Sequence, residues 1–352
     1  MLKAKELSDL ALAISEEEYR KLPAWSYSNL SAYDREGVKG LIDEVKPTMS
    51  LLKGSLLDTM LTDQAKLEQL FFKYDGKVPE GNLLDIASQM LEFDEEWEYF
   101  TADQLKALAR ANNYGADNWK PETIKEKLKD AIKPYVDAMR VAGNRAVVSE
   151  DIYQECLAMQ EKMLKKFYMF FRQTSEHPHI VPYHQLKFMT DYKGIPIRCM
   201  FDSLVVNYAD KIIIPADLKT TYYNESDFLN SMLKYRYFYQ GFMYTWILKK
   251  ILKSDPYFKD FTVLPFRFIV ISSNTMNPFM YILEDSNLDN YVMPEIKDGY
   301  KIIRPWQELL IDLEETVKAK RTYKTTENNG LLYVKVLNEG GINVYSKNDA
   351  TK

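Results

Sequence analysis

An acidic residue and a lysine stand two positions apart at the end of the apolar, β-branched run KIIIPADLKTT. Side chains at positions i and i+2 of a β-strand project from the same face, so Asp217 and Lys219 are expected to lie side by side. A carboxylate next to an ammonium group can hold a hard divalent cation and orient a water molecule at a phosphodiester. The motif Asp217-Leu218-Lys219 therefore predicts phosphodiester chemistry at the end of a strand.

Two further motifs accompany this one along the chain. Asp202 closes the strand-like run GIPIRCMFD, fifteen residues before Asp217, and supplies a second acid. Gln240 and Tyr244 are four residues apart in YRYFYQGFMYTWIL, which puts them on one face of a predicted helix. The order Asp, then Asp-x-Lys, then Gln-x-x-x-Tyr indicates nucleic-acid cleavage.

The composition limits the class of protein. The chain has 352 residues, 46% hydrophobic and 28% charged, which is typical of a globular protein with one large or two ordinary domains. Two cysteines, Cys156 and Cys199, cannot build a disulfide framework or a four-cysteine metal site within one chain. No apolar run approaches the roughly 18 residues of a membrane span, and the N-terminus lacks the apolar core of a signal peptide. We therefore expect a cytoplasmic protein that does not bind a membrane.

The net charge of −5 is not that of a general nucleic-acid coat protein. If the chain binds DNA, its basic residues must be gathered around a cleft. Each candidate cluster could also be a solvated helix face. The clusters are Lys162, Lys165, Lys166 and Arg172; Lys234 and Arg236; and Lys318, Lys320 and Arg321.

Hydrophobic spacing predicts the elements that position these residues. SLLKGSLLDTMLTD predicts a helix with Gly54 and Asp58 on one face, and residues 76–175 show helical spacing with Thr101 as a predicted N-cap. Pro121 and Pro134 are predicted helix breaks. The segment from His184 to KTT predicts three strands, followed by one long apolar helix over LNSMLKYRYFYQGFMYTWILKKIL, two further strands and a terminal helix.

This pattern predicts a mixed α/β core with a helical elaboration. We divide the chain into four parts by the change of pattern along it. These are 1–75, an N-terminal helical part of the core; 76–175, a helical insertion; 176–325, the catalytic α/β core; and 326–352, a C-terminal extension. The aromatic side chains Tyr235, Tyr237, Phe238 and Tyr239 are expected to pack in the core rather than to serve as base-stacking platforms, although one of them could do both.

In this order the motifs resemble those of the PD-(D/E)XK nuclease superfamily, specifically its RecB-like exonuclease branch, which contains exodeoxyribonuclease VIII and relatives of lambda exonuclease. EEYRKLPAWSYSNLSAYD resembles that family's N-terminal segment, KGSLLDTMLTD its glycine-plus-histidine helix, and SEDIYQECLAMQEKM the helix before the core strands. RCMFDSLVV, PADLKTT and YRYFYQGFMYTWI resemble its core motifs. The resemblance spans most of the chain. It implies a restriction-endonuclease-like core, with a central mixed β-sheet flanked by helices.

Carried over by position, the resemblance implies a metal site and a catalytic lysine. Asp202 and Asp217 would bind one or two Mg²⁺ or Mn²⁺ ions, and the carbonyl of Leu218 would complete the set of ligands. Lys219 would position or help deprotonate the attacking water and would stabilise the charge that develops on the phosphate. No iron–sulfur cluster is expected, because two cysteines cannot bind the cluster found in the cysteine-cluster branch of these nucleases.

Supporting roles follow from the same resemblance. Gln240 would hold the Asp-x-Lys strand or contact a DNA backbone, and Tyr244 would pack one helical turn further along. Ser28 and Arg35, near the N-terminal segment, are candidates for binding a 5′ phosphate. Lys234 and Arg236 are candidates for DNA contact.

Two positions depart from the family's pattern. Asp58 stands where the family has a histidine four residues after the helix glycine, and an aspartate can itself bind a hard metal ion. Gln185, with His184 beside it, stands where the family has a glutamate on the first core strand. A neutral amide offers a metal an oxygen but no charge. We interpret the site as an active one with an altered set of ligands.

The resemblance implies a metal-dependent deoxyribonuclease, an exonuclease that acts 5′→3′ on duplex ends. It would leave 3′ single strands for an annealing or recombinase protein, in a phage or prophage and so in the host cytoplasm. Relatives can form rings around DNA, so a homo-oligomer is expected. Two alternatives stay open: a DNA-binding or assembly protein that has lost turnover, which Gln185 favours, and a structure-specific endonuclease of the same superfamily.

Overall fold

The computed structural model of the chain describes residues 5–42, 48–93, 96–116, 118–284, 291–295, 299–319, 322–328 and 331–337. It divides into two compact units. We call Met1–Pro47 with Glu161–Lys352 the sheet unit and Thr48–Gln160 the helical unit. The four-part division from the sequence has other boundaries and stays a prediction. No helix in the described ranges is long and apolar enough to cross a membrane.

The described part of the chain forms both helices and strands, which are numbered separately in chain order. The helices are α1 Glu16–Lys21, α2 Tyr27–Glu36, α3 Val38–Ile42, α4 Met49–Thr62, α5 Leu67–Leu70, α6 Asn82–Glu92, α7 Ala102–Ala111, α8 Pro121–Ala142, α9 Glu150–Phe167, α10 Phe228–Tyr235, α11 Tyr237–Lys253 and α12 Trp306–Lys318. The strands are β1 Phe71–Tyr74, β2 Ala146–Ser149, β3 Ile180–Tyr192, β4 Ile195–Asn207, β5 Ile212–Thr221, β6 Thr262–Val263, β7 Phe266–Ser272, β8 Pro278–Leu283, β9 Tyr291–Glu295, β10 Gly299–Ile303, β11 Thr322–Asn328 and β12 Leu331–Leu337.

The sheet unit is built on a six-stranded sheet with the order β3-β4-β5-β7-β8, in which β6 also pairs with β5. Strands β3, β4 and β5 form an antiparallel meander, whereas β5 runs parallel to β6 and β7. The three predicted strands and their turns are confirmed, as is an α/β class with a mixed sheet flanked by helices. Asp202 lies inside β4, because the strand continues to Asn207.

Helix α11 packs its apolar face on this sheet, with Met243, Ile247 and Leu248 fully buried in the same core as Phe268. The single long helix predicted here is wrong, because the chain forms α10 and α11 with Arg236 between them. Arg236 adopts a left-handed conformation with φ +59° and ends α10. Hydrophobic spacing continues through such a one-residue interruption, so it gives no signal of the break.

The helical unit has an apolar core formed by α6, α7 and α8, which includes Ile86, Leu105 and Leu128. The predicted N-cap is confirmed, since Thr101 caps α7 in a capping box with Gln104. The predicted break at Pro134 is wrong, because α8 continues through it. A proline inside a helix costs about 3 kcal/mol, and here the buried side chains on either side of it offset that cost.

Candidate active site

The candidate site lies where strands β4 and β5 separate. Their antiparallel pairing begins with Asn207 opposite Ile212 and ends with Ser203 opposite Ala216. The next residues along the two strands are Asp202 and Asp217. Strand β5 continues beside β7 as far as Thr221. Across the opening, the Oδ2 atom of Asp202 accepts a hydrogen bond of 2.9 Å from the backbone N–H of Leu218. The Asp202 carboxylate thus accepts the hydrogen bond that a backbone carbonyl of β4 would accept in a regular strand pair.

Asp217 is held from two sides. Its side chain is almost fully buried, at 3% exposure for the residue. Its Oδ1 atom accepts a hydrogen bond of 2.5 Å from Nε2 of Gln240, and its Oδ2 atom accepts one from the ammonium group of Lys219. The predicted projection of Asp217 and Lys219 from the same face is therefore confirmed, and Gln240 makes the predicted contact with the Asp-x-Lys strand.

Lys219 carries a positive charge in this arrangement. Burial by itself would lower its pKa, but the attraction of the Asp217 carboxylate, with a further contribution from Asp202, outweighs burial and raises the pKa above its ordinary value. Its Nζ atom also lies 4.7 Å from the centre of the Tyr237 ring, a cation–π contact. The site thus presents the Lys219 ammonium group together with the carboxylates of Asp202 and Asp217.

Helix α11 positions the two predicted supporting residues differently. Gln240 points to Asp217, and its Oε1 atom is buried without a hydrogen-bond partner among the described residues. The Tyr244 ring packs against Phe201, with 5.3 Å between ring centres. Burial raises the pKa of Tyr244 well above its ordinary value, so its hydroxyl stays protonated. Tyr244 is a packing residue, whereas Gln240 orients a carboxylate.

Gln185 occupies an unusual position on β3. The pairs His184–Ser203 and Leu186–Phe201 flank it, so Gln185 stands opposite Asp202, where the regular pairing of β3 and β4 is interrupted. Its φ is +53°, in the left-handed region. Such a conformation costs about 1–3 kcal/mol for a residue other than glycine and is concentrated at functional sites. The two ring nitrogens of His184 lie 3.2 Å from the carbonyl oxygens of Asp202 and Phe171.

The remaining predicted residues of the sheet unit lie on α2 and at the end of α10. Ser28 is exposed in the first turn of α2, and the Arg35 Nε atom donates to the Ser31 carbonyl at 3.1 Å. Lys234 is exposed at the end of α10. The guanidinium of Arg236 donates to Asp34 at 2.6 Å and so has a structural role. Contact of these residues with DNA stays a prediction.

Asp58 belongs to the helical unit. It lies on α4, where its backbone carbonyl accepts a hydrogen bond of 2.8 Å from the Thr62 hydroxyl. Its role as a metal ligand stays a prediction.

The donor atoms at the separation of β4 and β5 fit a hard divalent cation. Within the described ranges, no three His, Cys, Asp or Glu side chains are grouped as a metal-binding cluster. Mg²⁺ commonly takes only one or two carboxylates and keeps several waters. Asp202 and Asp217 supply two carboxylates, and the unpartnered Oε1 atom of Gln240 is a buried neutral oxygen beside them. This set suits oxygen coordination and lacks the thiolates that softer metals select.

Comparison with solved structures gives a distant structural likeness. No family model matches the chain, and no curated protein matches it. Among solved structures, the chain is similar to a "Putative exonuclease" from Eubacterium rectale, with a TM-score of 0.40 and 12% sequence identity. The likeness covers 87% of this chain and 85% of that chain.

Proposed function

We propose that this protein is a metal-dependent deoxyribonuclease with a PD-(D/E)XK core, and specifically an exonuclease. One observation carries the proposal. Asp202 and Asp217 stand on neighbouring strands where the strands separate; the Asp202 carboxylate accepts from the Leu218 N–H, and the Lys219 ammonium is bonded to Asp217. Burying charged groups is costly unless they are paired, and such clusters occur mainly where chemistry needs them.

The proposed roles follow from the atoms at the site. Asp202 and Asp217 would hold Mg²⁺ or Mn²⁺, an ion that lowers the pKa of a bound water and neutralises charge at a phosphate. Lys219, as an ammonium, would donate hydrogen bonds to the phosphate and stabilise its negative charge. Gln240 would keep the Asp217 carboxylate in one orientation.

The finer parts of the proposal rest on the motif resemblance. They are 5′→3′ cleavage of duplex ends, release of 3′ single strands to an annealing or recombinase protein, a ring-shaped homo-oligomer, and a phage or prophage origin with action in the host cytoplasm. A ring would supply processivity by topology, which suits a chain with a net charge of −5.

The test compares degradation of duplex DNA, labelled at either the 5′ or the 3′ end, with and without Mg²⁺. Asp217→Asn and Lys219→Ala are expected to lower the rate by about a thousandfold, since each removes a charge worth several kcal/mol at the transition state. Asp260→Asn, at an exposed acid of the same unit, is the matched control and should retain full activity. Equal degradation by wild type and both site variants would reject the site. Cleavage of closed circular DNA would favour the endonuclease alternative.

A second candidate function is DNA binding without turnover. The neutral side chain of Gln185, which stands opposite Asp202, favours it, because a charged ligand at this position would bind metal more strongly. Calorimetric titration with Mg²⁺ and Mn²⁺ separates the two candidates. DNA binding with no metal binding, and metal binding gained by Gln185→Glu, would support the second candidate. Metal binding by the wild type would support the nuclease.

A further inference from the structure

We infer that Tyr235 is a base-stacking residue, which binds an unpaired nucleobase of the substrate strand next to the active site. This inference rests on the proposed function and names a part of its substrate: a strand end with at least one unpaired base. The sequence favoured packing for the aromatic run, which is Tyr235, Tyr237, Phe238 and Tyr239, and left open that one member also stacks on a base. The structure separates the four by their exposure.

Burial divides the aromatic run into packing residues and one exposed ring. Phe238 and Tyr239 are buried at 6% and 2% exposure, whereas Tyr235 is 38% exposed. Tyr237 lies between these extremes and packs against Phe268, with 5.8 Å between ring centres. Tyr235 therefore has the largest exposed fraction in this run, and its ring is accessible to a ligand.

A continuous stack connects this ring to the candidate active site. The Lys219 ammonium lies 4.7 Å from the centre of the Tyr237 ring. Tyr237 in turn stacks on Tyr235, with 5.6 Å between ring centres and 29° between ring planes. A base placed on Tyr235 would extend this stack by one more ring, on the side away from Tyr237.

The backbone of Tyr235 is fixed, which favours stacking because little conformational freedom remains to be lost. Its carbonyl accepts a hydrogen bond of 2.6 Å from the Tyr27 hydroxyl and another of 2.8 Å from the Ser31 hydroxyl. The next residue, Arg236, is held in its left-handed conformation by its bond to Asp34. The ring thus projects from a rigid junction between α10 and α11.

The charge beside the ring suits a nucleotide better than an apolar protein partner. The Lys234 ammonium lies 5.3 Å from the centre of the Tyr235 ring, and the residue is exposed. A long exposed side chain can move aside for a base and then pair with the phosphate that follows it. An aromatic ring with a neighbouring cation is the usual combination in single-strand binding sites. Two further exposed tyrosines, Tyr222 and Tyr223, directly follow β5.

The experiment measures binding of fluorescent duplexes with a three-nucleotide overhang on either strand, in EDTA so that no cleavage occurs. Overhangs with bases are compared with overhangs of abasic sites. Wild type is expected to bind the base-containing overhang about 5- to 100-fold more tightly. Tyr235→Phe should keep this preference and Tyr235→Leu should remove it. Lys234→Gln should weaken binding to both DNAs equally, because it removes a phosphate contact.

Tyr257→Leu is the matched control. Tyr257 is 44% exposed and also contacts a buried aromatic ring, Phe258, edge to face. It follows the other end of α11, a helix roughly 25 Å long at 1.5 Å per residue. It should bind both DNAs as wild type does. A base preference that survives Tyr235→Leu, or a wild type that shows none while cleaving DNA, would overturn the inference and leave the nuclease intact. A wild type that neither binds nor cleaves DNA would overturn both.

Discussion

The two units bury polar groups in different ways. Among its described residues, the sheet unit buries four charged side chains, which are Arg198, Asp217, Asp255 and Glu314. In the described part of the helical unit, the buried polar side chains are Thr59 and Gln160, and none is charged. Because both units form compact cores, this difference reflects what each core must do beyond folding.

Each buried charge of the sheet unit has specific partners. Arg198 donates to the carbonyls of Tyr19, Arg20 and Leu22, and the Glu314 carboxylate accepts from the indole N–H of Trp25 at 2.6 Å. Such arrangements are seldom more stable than a well-packed apolar core. They fix one geometry, which a site with two carboxylates and an ammonium requires and a helical packing core does not.

The largest expected effect is that of Arg198→Met, which removes the buried guanidinium. Its Nη1 atom donates to three carbonyls at 2.6, 2.8 and 2.8 Å, and each unsatisfied buried acceptor costs about 1–3 kcal/mol. We expect a loss of about 3–5 kcal/mol in the free energy of unfolding, measured by urea denaturation. Lys259→Met, at an exposed cation of the same unit, should stay within about 0.5 kcal/mol of wild type. Equal costs for the two variants would show that the buried charge is not specifically held.

A smaller effect is expected from Gln240→Met, which keeps the side-chain volume and removes the donor to Asp217. The Oδ1 atom of Asp217 then lacks its hydrogen bond, at a cost of about 1–3 kcal/mol in the free energy of unfolding. Cleavage should fall as well, because the carboxylate loses its fixed orientation. An unchanged urea midpoint, with unchanged cleavage, would mean that Gln240 does not orient Asp217.

The matched change in the helical unit is Leu128→Met, at a fully buried position of α8. Apolar swaps that conserve volume usually cost less than about 1.5 kcal/mol. Urea denaturation of Leu128→Met beside Gln240→Met therefore compares the two cores directly. If Leu128→Met lowers the free energy of unfolding as much as Gln240→Met does, the helical core tolerates substitution no better than the core beneath the site. The proposed difference between the two units would then be wrong.

The sequence predicted the parts of the site that depend on periodicity. The two-residue period of a strand was enough to bring Asp217 and Lys219 together, and helical spacing was enough to put Gln240 and Tyr244 on one helix. The functions of those residues differ, because Gln240 faces the carboxylate and Tyr244 faces Phe201. Sequence spacing predicts that two residues lie on the same side of a helix, but it does not predict which residue each side chain contacts.

Features set by single-residue conformations or by tertiary packing were not predictable. The left-handed conformations of Gln185 and Arg236 leave no trace in hydrophobic spacing, yet one faces Asp202 and the other divides the long helix. Helix α8 continues through Pro134 because packing outweighs propensity. The parallel pair of β1 and β2 joins segments far apart in the chain, so no local pattern indicates it.

The smallest difference between the units is expected at their single cysteines. Cys156 in the helical unit and Cys199 in the sheet unit are both fully buried. Burial, with a further contribution from Glu155, raises the pKa of the Cys156 thiol to about 11, and burial raises that of Cys199 well above its ordinary value. Neither thiol should react with a thiol reagent at pH 8 in the folded chain, and both should react in urea, since only the exposed thiolate is reactive.

The time courses of the two thiols then report the opening of each unit separately, with Cys156→Ser and Cys199→Ser variants to assign them. Unfolded thiols ionise near pH 9, whereas folded Cys156 keeps its proton up to about pH 11. The unfolded chain therefore binds fewer protons in this window, so the free energy of unfolding should fall as the pH rises from 9 to 11. Equal labelling rates would mean that the units open together. Faster labelling of Cys156 would mean that the apolar unit, despite its lack of buried charge, is the one that opens first.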